Sequence, residues 1–243
     1  MNLIIEQGNT TTKVAIYGKE GCIEASQTYK DSVLCVVRSF FEKYDLKHGI
    51  MSTVIEPDSE LLSFLNNMLP CFIFLDEKTL LPINIQYQTP NTLGKDRLAA
   101  VVGANYLKPG ENILVIDAGT AITYELIEAS GVYLGGNISP GMTTRFKALN
   151  HYASRLPLMM EEEDIPQIGY STKTAIQAGV VNGIVYEMDG YIRDLRCKYP
   201  DLLVFLTGGH LFYFERRLKN TIFADINLVL TGLNRILEYN VEI

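Results

Sequence analysis

The 243 residues hold only four cysteines, Cys22, Cys35, Cys71 and Cys197, scattered without a C-x-x-C pair or zinc-ligand spacing. Nothing here builds a disulfide framework or a zinc cage, and reduced thiols fit a cytoplasmic location. The three histidines, His48, His151 and His210, are equally dispersed and form no metal-binding pattern. Positive charge is sparse: the formal net charge is -7 and no basic run stands out, so nucleic acid is not an expected partner. No stretch approaches the roughly 20 apolar residues of a membrane span, so no membrane association is expected. The apolar patch at the N-terminus is short and broken by Glu6, with no cationic start or small-residue cleavage site, and does not read as a signal peptide. Low-complexity linkers are absent as well.

What is present is a repeat. Leu3-Ile4-Ile5-Glu6-Gln7-Gly8-Asn9-Thr10-Thr11-Thr12 and Leu114-Val115-Ile116-Asp117-Ala118-Gly119-Thr120-Ala121-Ile122-Thr123 both read as a buried strand ending in an acid, followed by a hydroxyl-rich turn containing glycine. The glycine two residues after the acid lets the backbone turn tightly and approach a ligand. Threonine hydroxyls and free backbone N–H groups beyond it suit phosphate oxygens, and the acid suits a cation that neutralises them. A single copy is also compatible with an ordinary hairpin; two aligned copies point to a polyphosphate clamp. At 47% hydrophobic, the chain can build one sizeable core or two small lobes. The spacing of the copies favours two lobes of similar size, expected at 1–112 and 113–243.

Around the repeats the pattern is mixed α/β. In the first half Val14 to Tyr17 continues as a second strand and Gly18 to Gly21 turns. Asp31 or Ser32 can cap a helix carrying Val33, Val36, Val37, Phe40, Phe41 and Tyr44 at helical spacing. A second helix opens at Glu56 to Ser59 and runs through Leu69, and Cys71 to Leu75 returns as a strand. In the second half strands are expected at Thr123 to Ile127 and Val132 to Leu134, then a Gly-rich segment from Gly135 to Gly141. A long helix from about Thr172 to Arg196, a strand at Leu202 to Leu206 running into Thr207-Gly208-Gly209, and a closing helix from Asn227 to Tyr239 complete the plan. Glu161 to Asp164 reads as a solvated acidic loop or helix start.

Between the repeats lies Tyr87-Gln88-Thr89-Pro90-Asn91-Thr92-Leu93-Gly94-Lys95-Asp96-Arg97, followed by an Ala-rich helical run to Leu107. Asp96 and Arg97 fall in the first helical turn. An acid there is stabilised by the helix dipole, which is one sufficient reason for it. Next to a phosphate-type loop a second reading opens: Asp96 orients or deprotonates an attacking hydroxyl, and Arg97 holds an anionic group of the acceptor, ideally a carboxylate.

Assembled, these motifs resemble the type III pantothenate kinases of the acetate and sugar kinase, Hsp70 and actin superfamily. The family's D-x-G-N-T-x-x-K motif is occupied by Glu6 to Lys13, and its Y-x-x-P-x-x-L-G-x-D-R motif by Tyr87, Pro90, Leu93, Gly94, Asp96 and Arg97. Its second phosphate motif is occupied by Asp117 to Ala121. Tyr133 to Gly136, Ser139-Pro140-Gly141, Leu156-Pro157, Ser171-Thr172, Thr207 to Gly209 and Asn227 to Leu233 extend the likeness over the whole chain. The one departure is Glu6, where the family has Asp; the extra methylene must retract, work through a water or shift the ion that magnesium's tight geometry fixes.

The resemblance implies two related α/β lobes, each built like ribonuclease H, with ATP in an interlobe cleft. It implies that Glu6, Gln7, Gly8, Asn9, Thr10, Thr11, Thr12, Lys13 and Thr120 bind ATP, and that Tyr87, Gly94, Lys95, Asp96 and Arg97 bind pantothenate, with Asp96 as general base. Asp117 would hold a monovalent cation, K+ or NH4+, and Glu6 is a magnesium candidate beside Mg2+-ATP. Thr172 would reach the pantothenate site of a second subunit in a homodimer. The product would be 4′-phosphopantothenate, on the route to coenzyme A. Two other classes fit parts of the chain: a nucleotide-binding regulator, for which the acceptor motif would be idle, and an actin-like filament subunit, which leaves Tyr87, Asp96 and Arg97 without work.

Overall fold

The computed structural model of the chain describes residues 1–9, 11–29 and 33–242. In chain order the elements are β1 (Asn2–Gln7), β2 (Thr11–Gly18), β3 (Gly21–Tyr29), α1 (Val33–Lys43), β4 (His48–Thr53), α2 (Ser59–Met68), β5 (Cys71–Phe74), β6 (Asn84–Ile85) and α3 (Lys95–Leu107). They continue as β7 (Ile113–Ala118), β8 (Ala121–Ile127), β9 (Val132–Pro140), α4 (Met142–Tyr152), α5 (Thr172–Lys198), β10 (Leu203–Thr207), α6 (Leu211–Glu215), β11 (Phe223–Ala224) and α7 (Leu228–Val241). Two compact units emerge, 1–110 with 131–133 and 227–243, and 111–130 with 134–226.

The duplication legible in the sequence is a duplication of topology. One sheet has the strand order β3-β2-β1-β4-β5 and the other β6-β9-β8-β7-β10-β11, so apart from β6 at its edge each sheet runs third, second, first, fourth, fifth. In both, the first strand pairs antiparallel with the second and parallel with the fourth. This is the ribonuclease-H-like arrangement, and the fold is two such α/β lobes. The central strands are apolar on both faces because helices or further chain cover each side: Leu3, Ile4, Ile5, Val115 and Ile116 have no exposed surface.

Helices form where caps and apolar spacing agree. Asp58 caps α2 by accepting from the Glu60 N–H at 2.8 Å, and Leu61 and Leu65 point inward. Ser171 and Thr174 close a capping box at the start of α5. Val33, Val37 and Phe40 of α1 are buried as their spacing predicts, whereas the proposed caps Asp31 and Ser32 lie outside the described residues.

Three features go beyond the sequence reading. First, α7 joins the first unit, although it follows the second in sequence. The reason is a glycine-to-glycine helix contact: Gly103 of α3 has Leu228 O and Gly232 N against it, and a Cβ on Gly232 would overlap Ala99 O. Asn2 also donates to Asn234 at 2.9 Å and Tyr17 shares a hydrogen bond with Thr231. Second, the Gly-rich segment 135–140 is the continuation of β9. Third, the four cysteines are free, with Cys22, Cys35 and Cys197 exposed. Among the described residues no helix is long and apolar enough to cross a membrane.

Candidate active site

In the first unit, β1 delivers Glu6 to the carboxyl end of the sheet. Its cross-strand neighbour is Lys13 of β2 and its parallel neighbour is Ser52 of β4. The Lys13 ammonium stands 3.7 Å from Glu6 Oε2, an ion pair beyond hydrogen-bonding length, and that oxygen is buried without a hydrogen-bond partner. Burial pushes the Glu6 carboxyl above the usual carboxylate range; Lys13 opposes the rise and the negative charge of Asp96 adds to it. Glu6, Lys13 and Asp96 therefore share one electrostatic neighbourhood.

The turn between β1 and β2 is closed by Gly8 N–H donating to Thr11 O at 3.0 Å. Asn9 is exposed, while Thr10 lies outside the described residues. Strand alternation sends Gln7 and Thr12 the other way: both are buried, and Gln7 Oε1 accepts from Thr53 Oγ1 at 3.0 Å. Any ligand contact by these two residues must come from the backbone.

Asp96 occupies the first turn of α3, where its Oδ1 accepts from the Arg97 N–H at 2.8 Å. Gly94 makes this fold-back feasible, because a Cβ there would come within 2.6 Å of Asp96 Oδ1. Arg97 is buried, and its guanidinium donates to Tyr133 Oη at 3.3 Å and faces the Tyr87 ring at 5.8 Å. Tyr87 and Tyr133 stack at 6.2 Å between centroids. A cation set against one tyrosine ring and hydrogen-bonded to the hydroxyl of another can take a carboxylate while the rings offer an apolar wall. Lys95 is half-buried at the first position of α3.

The second unit repeats the frame with other neighbours. Asp117 faces Thr123 across the hairpin and Thr207 along β10. Thr207 is buried and its Oγ1 has no hydrogen-bond partner; Gly208 follows at φ +95°, where a Cβ would overlap Asp117 Oδ1. Gly119 N–H donates to Ala121 O at 3.0 Å, and exposed Thr120 offers its carbonyl to the Gly141 N–H at 3.0 Å and Thr144 Oγ1 at 2.7 Å. Thr172 is exposed at the first residue of α5.

Among the described residues no three His, Cys, Asp or Glu side chains gather into a metal cage. The donor chemistry instead fits ions held jointly with a ligand, as magnesium is in phosphate sites. Glu6 Oε2, buried and unpartnered, suits a divalent ion shared with phosphate oxygens. The Asp117 carboxylate beside the unpartnered Thr207 hydroxyl is an oxygen-only set suited to a monovalent ion. Tyr133 and Thr207 did not stand out in sequence as site residues. Each sat inside a noted segment, and only the fold shows that Tyr133 reaches Arg97 and that Thr207 is in register with Asp117.

Residues 2–194 match the family model described as type III pantothenate kinase. A type III pantothenate kinase from Phocaeicola vulgatus is 50% identical over 240 residues, covering 99% of this chain and 99% of that protein. One from Bacteroides fragilis is also 50% identical over 240 residues, covering 99% of this chain and 98% of that protein. Among solved structures, a Baf family protein from Campylobacter jejuni, described there as a transcriptional activator, superposes with a TM-score of 0.67 at 24% identity. That likeness covers 99% of this chain and 100% of the other, and speaks to fold alone. With the model match spanning most of the chain and half of all residues identical to full-length relatives, the chain belongs to the type III pantothenate kinase family.

Proposed function

We propose that this chain carries out its family's reaction, phosphorylation of pantothenate by ATP in coenzyme A biosynthesis, with the residues described above in the following roles. Asp96 accepts the proton of the pantothenate 4′-hydroxyl as that oxygen attacks the γ-phosphorus, ADP leaves, and 4′-phosphopantothenate forms. Arg97 pairs with the pantothenate carboxylate, with Tyr87 and Tyr133 packed against the rest of the acceptor. The backbone of the Gly8 to Thr12 turn, Lys13 and Thr120 bind ATP phosphates. Glu6 would hold magnesium, and Asp117 with Thr207 would hold K+ or NH4+; when bound, these ions neutralise charge developing on the transferred group.

Thr172 contributes to the pantothenate site of a second subunit in a homodimer. In support, the face of α4 and α5 carries an apolar groove of about 600 Å³ lined by Leu149, Tyr152, Ala175, Ile176 and Val180. Exposed Tyr152 and Tyr170 belong to the same unit. A cytoplasmic location agrees with four unpaired cysteines.

The observation that carries this reading is the gathering of Glu6, Lys13 and Asp96 in one unit with the Arg97, Tyr87 and Tyr133 pocket attached. The test is an ADP-release assay with ATP, magnesium and pantothenate, in potassium and again in sodium. Asp96→Asn should lower turnover by about 10² to 10⁴ while ATP binding stays near wild type. Turnover close to wild type in that variant removes Asp96 from the role of base, and equal rates in the two salts remove a potassium-selective cation site.

A further inference from the structure

Thr120 is exposed, and the described contacts that fix its carbonyl come from one place, the start of α4. Gly141 N–H donates to Thr120 O at 3.0 Å, and Thr144 Oγ1 donates to the same oxygen at 2.7 Å. Gly141 sits so close that an added Cβ would overlap Gly119 O and lie 2.6 Å from Thr120 O. The Gly119–Thr120 turn is therefore placed by wherever the β9–α4 junction is placed.

That junction has no side-chain cap of its own at Gly141. Arg145, in the first turn of α4, supplies the missing anchorage. Its Nε donates to Pro140 O at 2.7 Å, and Nη2 donates to Ser139 Oγ at 2.8 Å and to Glu187 Oε2 at 2.6 Å. Glu187 belongs to α5, and its other oxygen accepts from Tyr124 Oη at 2.7 Å. Tyr124 lies on β8, the strand that leaves the turn. One guanidinium and one carboxylate thus tie together the end of β9, the start of α4, the middle of α5 and β8.

We propose that Arg145 and Glu187 are a positioning pair that sets the Gly119–Thr120 turn and, through it, the affinity for the phosphates of ATP. The second half of this statement rests on the reading that this turn binds phosphate. Neither residue touches a reacting atom. An ordinary half-exposed ion pair adds little to stability; what distinguishes this one is the planar fork spent on a backbone carbonyl, a hydroxyl and a carboxylate together. Lysine carries the charge but is a single point donor and does not reproduce that fork. The surroundings agree: burial works against an ionised Glu187, yet donors from Arg145, Tyr124 and Ser139 hold its carboxyl below the usual range.

The test pairs Arg145→Lys with Glu187→Gln and reads three quantities: hydrogen exchange of the Gly141 amide, ATP dissociation constant without pantothenate, and KM for each substrate. Loss of hydrogen bonds to a charged group should speed Gly141 exchange and raise the ATP constant by about tenfold, with KM for pantothenate unchanged. Unchanged Gly141 protection in both variants overturns the brace, whatever happens to activity. Faster exchange with unaltered ATP affinity leaves the brace standing and overturns the phosphate role of the turn. A parallel rise in KM for both substrates overturns the selective link to ATP. Should Arg145→Lys fail to fold, Glu187→Gln, which keeps the side-chain shape and one acceptor, carries the test alone.

Discussion

The first hairpin places its acid beside a lysine and close to a second acid; the second hairpin places its acid among hydroxyls and crowding glycines. Glu6 has Lys13 opposite and the field of Asp96 upon it, while Asp117 has Thr123 opposite and Thr207 alongside. The turns differ too. Residues 8–11 lie between the paired Gln7 and Thr12, whereas only 119–121 lie between Ala118 and Ile122. A Cβ on Gly8 would come no closer than 3.2 Å to Thr11 O, but one on Gly141 or Gly208 would overlap the second turn or its acid. A duplicated frame has thus been divided into an adjustable half, whose charges compensate one another, and a clamped half, whose shape is fixed by neighbours.

The sharpest way to break this contrast is Gly141→Ala. The atoms in its way are backbone and cannot rotate aside, so we expect a loss of about 1–3 kcal/mol or more, read by denaturant unfolding. Retention of wild-type stability would mean that the second turn is not clamped.

A smaller effect with a definite pH dependence is expected from Glu6→Gln in protein free of nucleotide and metal. The folded state raises the Glu6 carboxyl, so ionising it costs stability. That cost is fully present well above the raised value and fades as pH falls through it towards the unfolded value. Glu6→Gln should therefore raise Tm by about 2 °C at pH 8, with the advantage vanishing near pH 4, while kinase activity drops. A Tm gain that persists at pH 4 would assign the effect to something other than charge. Smallest of all is Gly8→Ala: entropy removed from the unfolded chain offsets a contact that yields by a few tenths of an ångström, leaving unfolding within about 0.5 kcal/mol of wild type. A larger loss would make the first turn as rigid as the second.

Most of the candidate site residues stand out in sequence because they sit at positions local rules mark. Glu6 and Asp117 end apolar strands, Gly8 and Gly119 turn the chain, and Asp96 opens a helix behind Gly94. What escaped was everything set by lateral register or by contact between elements distant in sequence. Thr207 meets Asp117 because β10 pairs with β7. Tyr133 meets Arg97 because the first residues of β9 pair with β6 in the first unit. Strand β4 and helix α4 were not anticipated, and the Gly-rich stretch from 135 to 141 carried no sign that Gly136 lets β9 pass over Tyr124 O and Glu125. Neither did periodicity reveal where α7 docks; two glycines at the right places on two helices decided that.

The return of α7 to the first unit has a consequence for folding. Asn234 meets Asn2, and Gly232 meets Ala99, so the first unit is completed only by contacts that span the whole of the second. The second unit, residues 111–130 and 134–226, needs no segment from beyond its own range. Closing a long loop costs entropy before the contacts reward it, so the docking of α7 is expected to be a late event in folding.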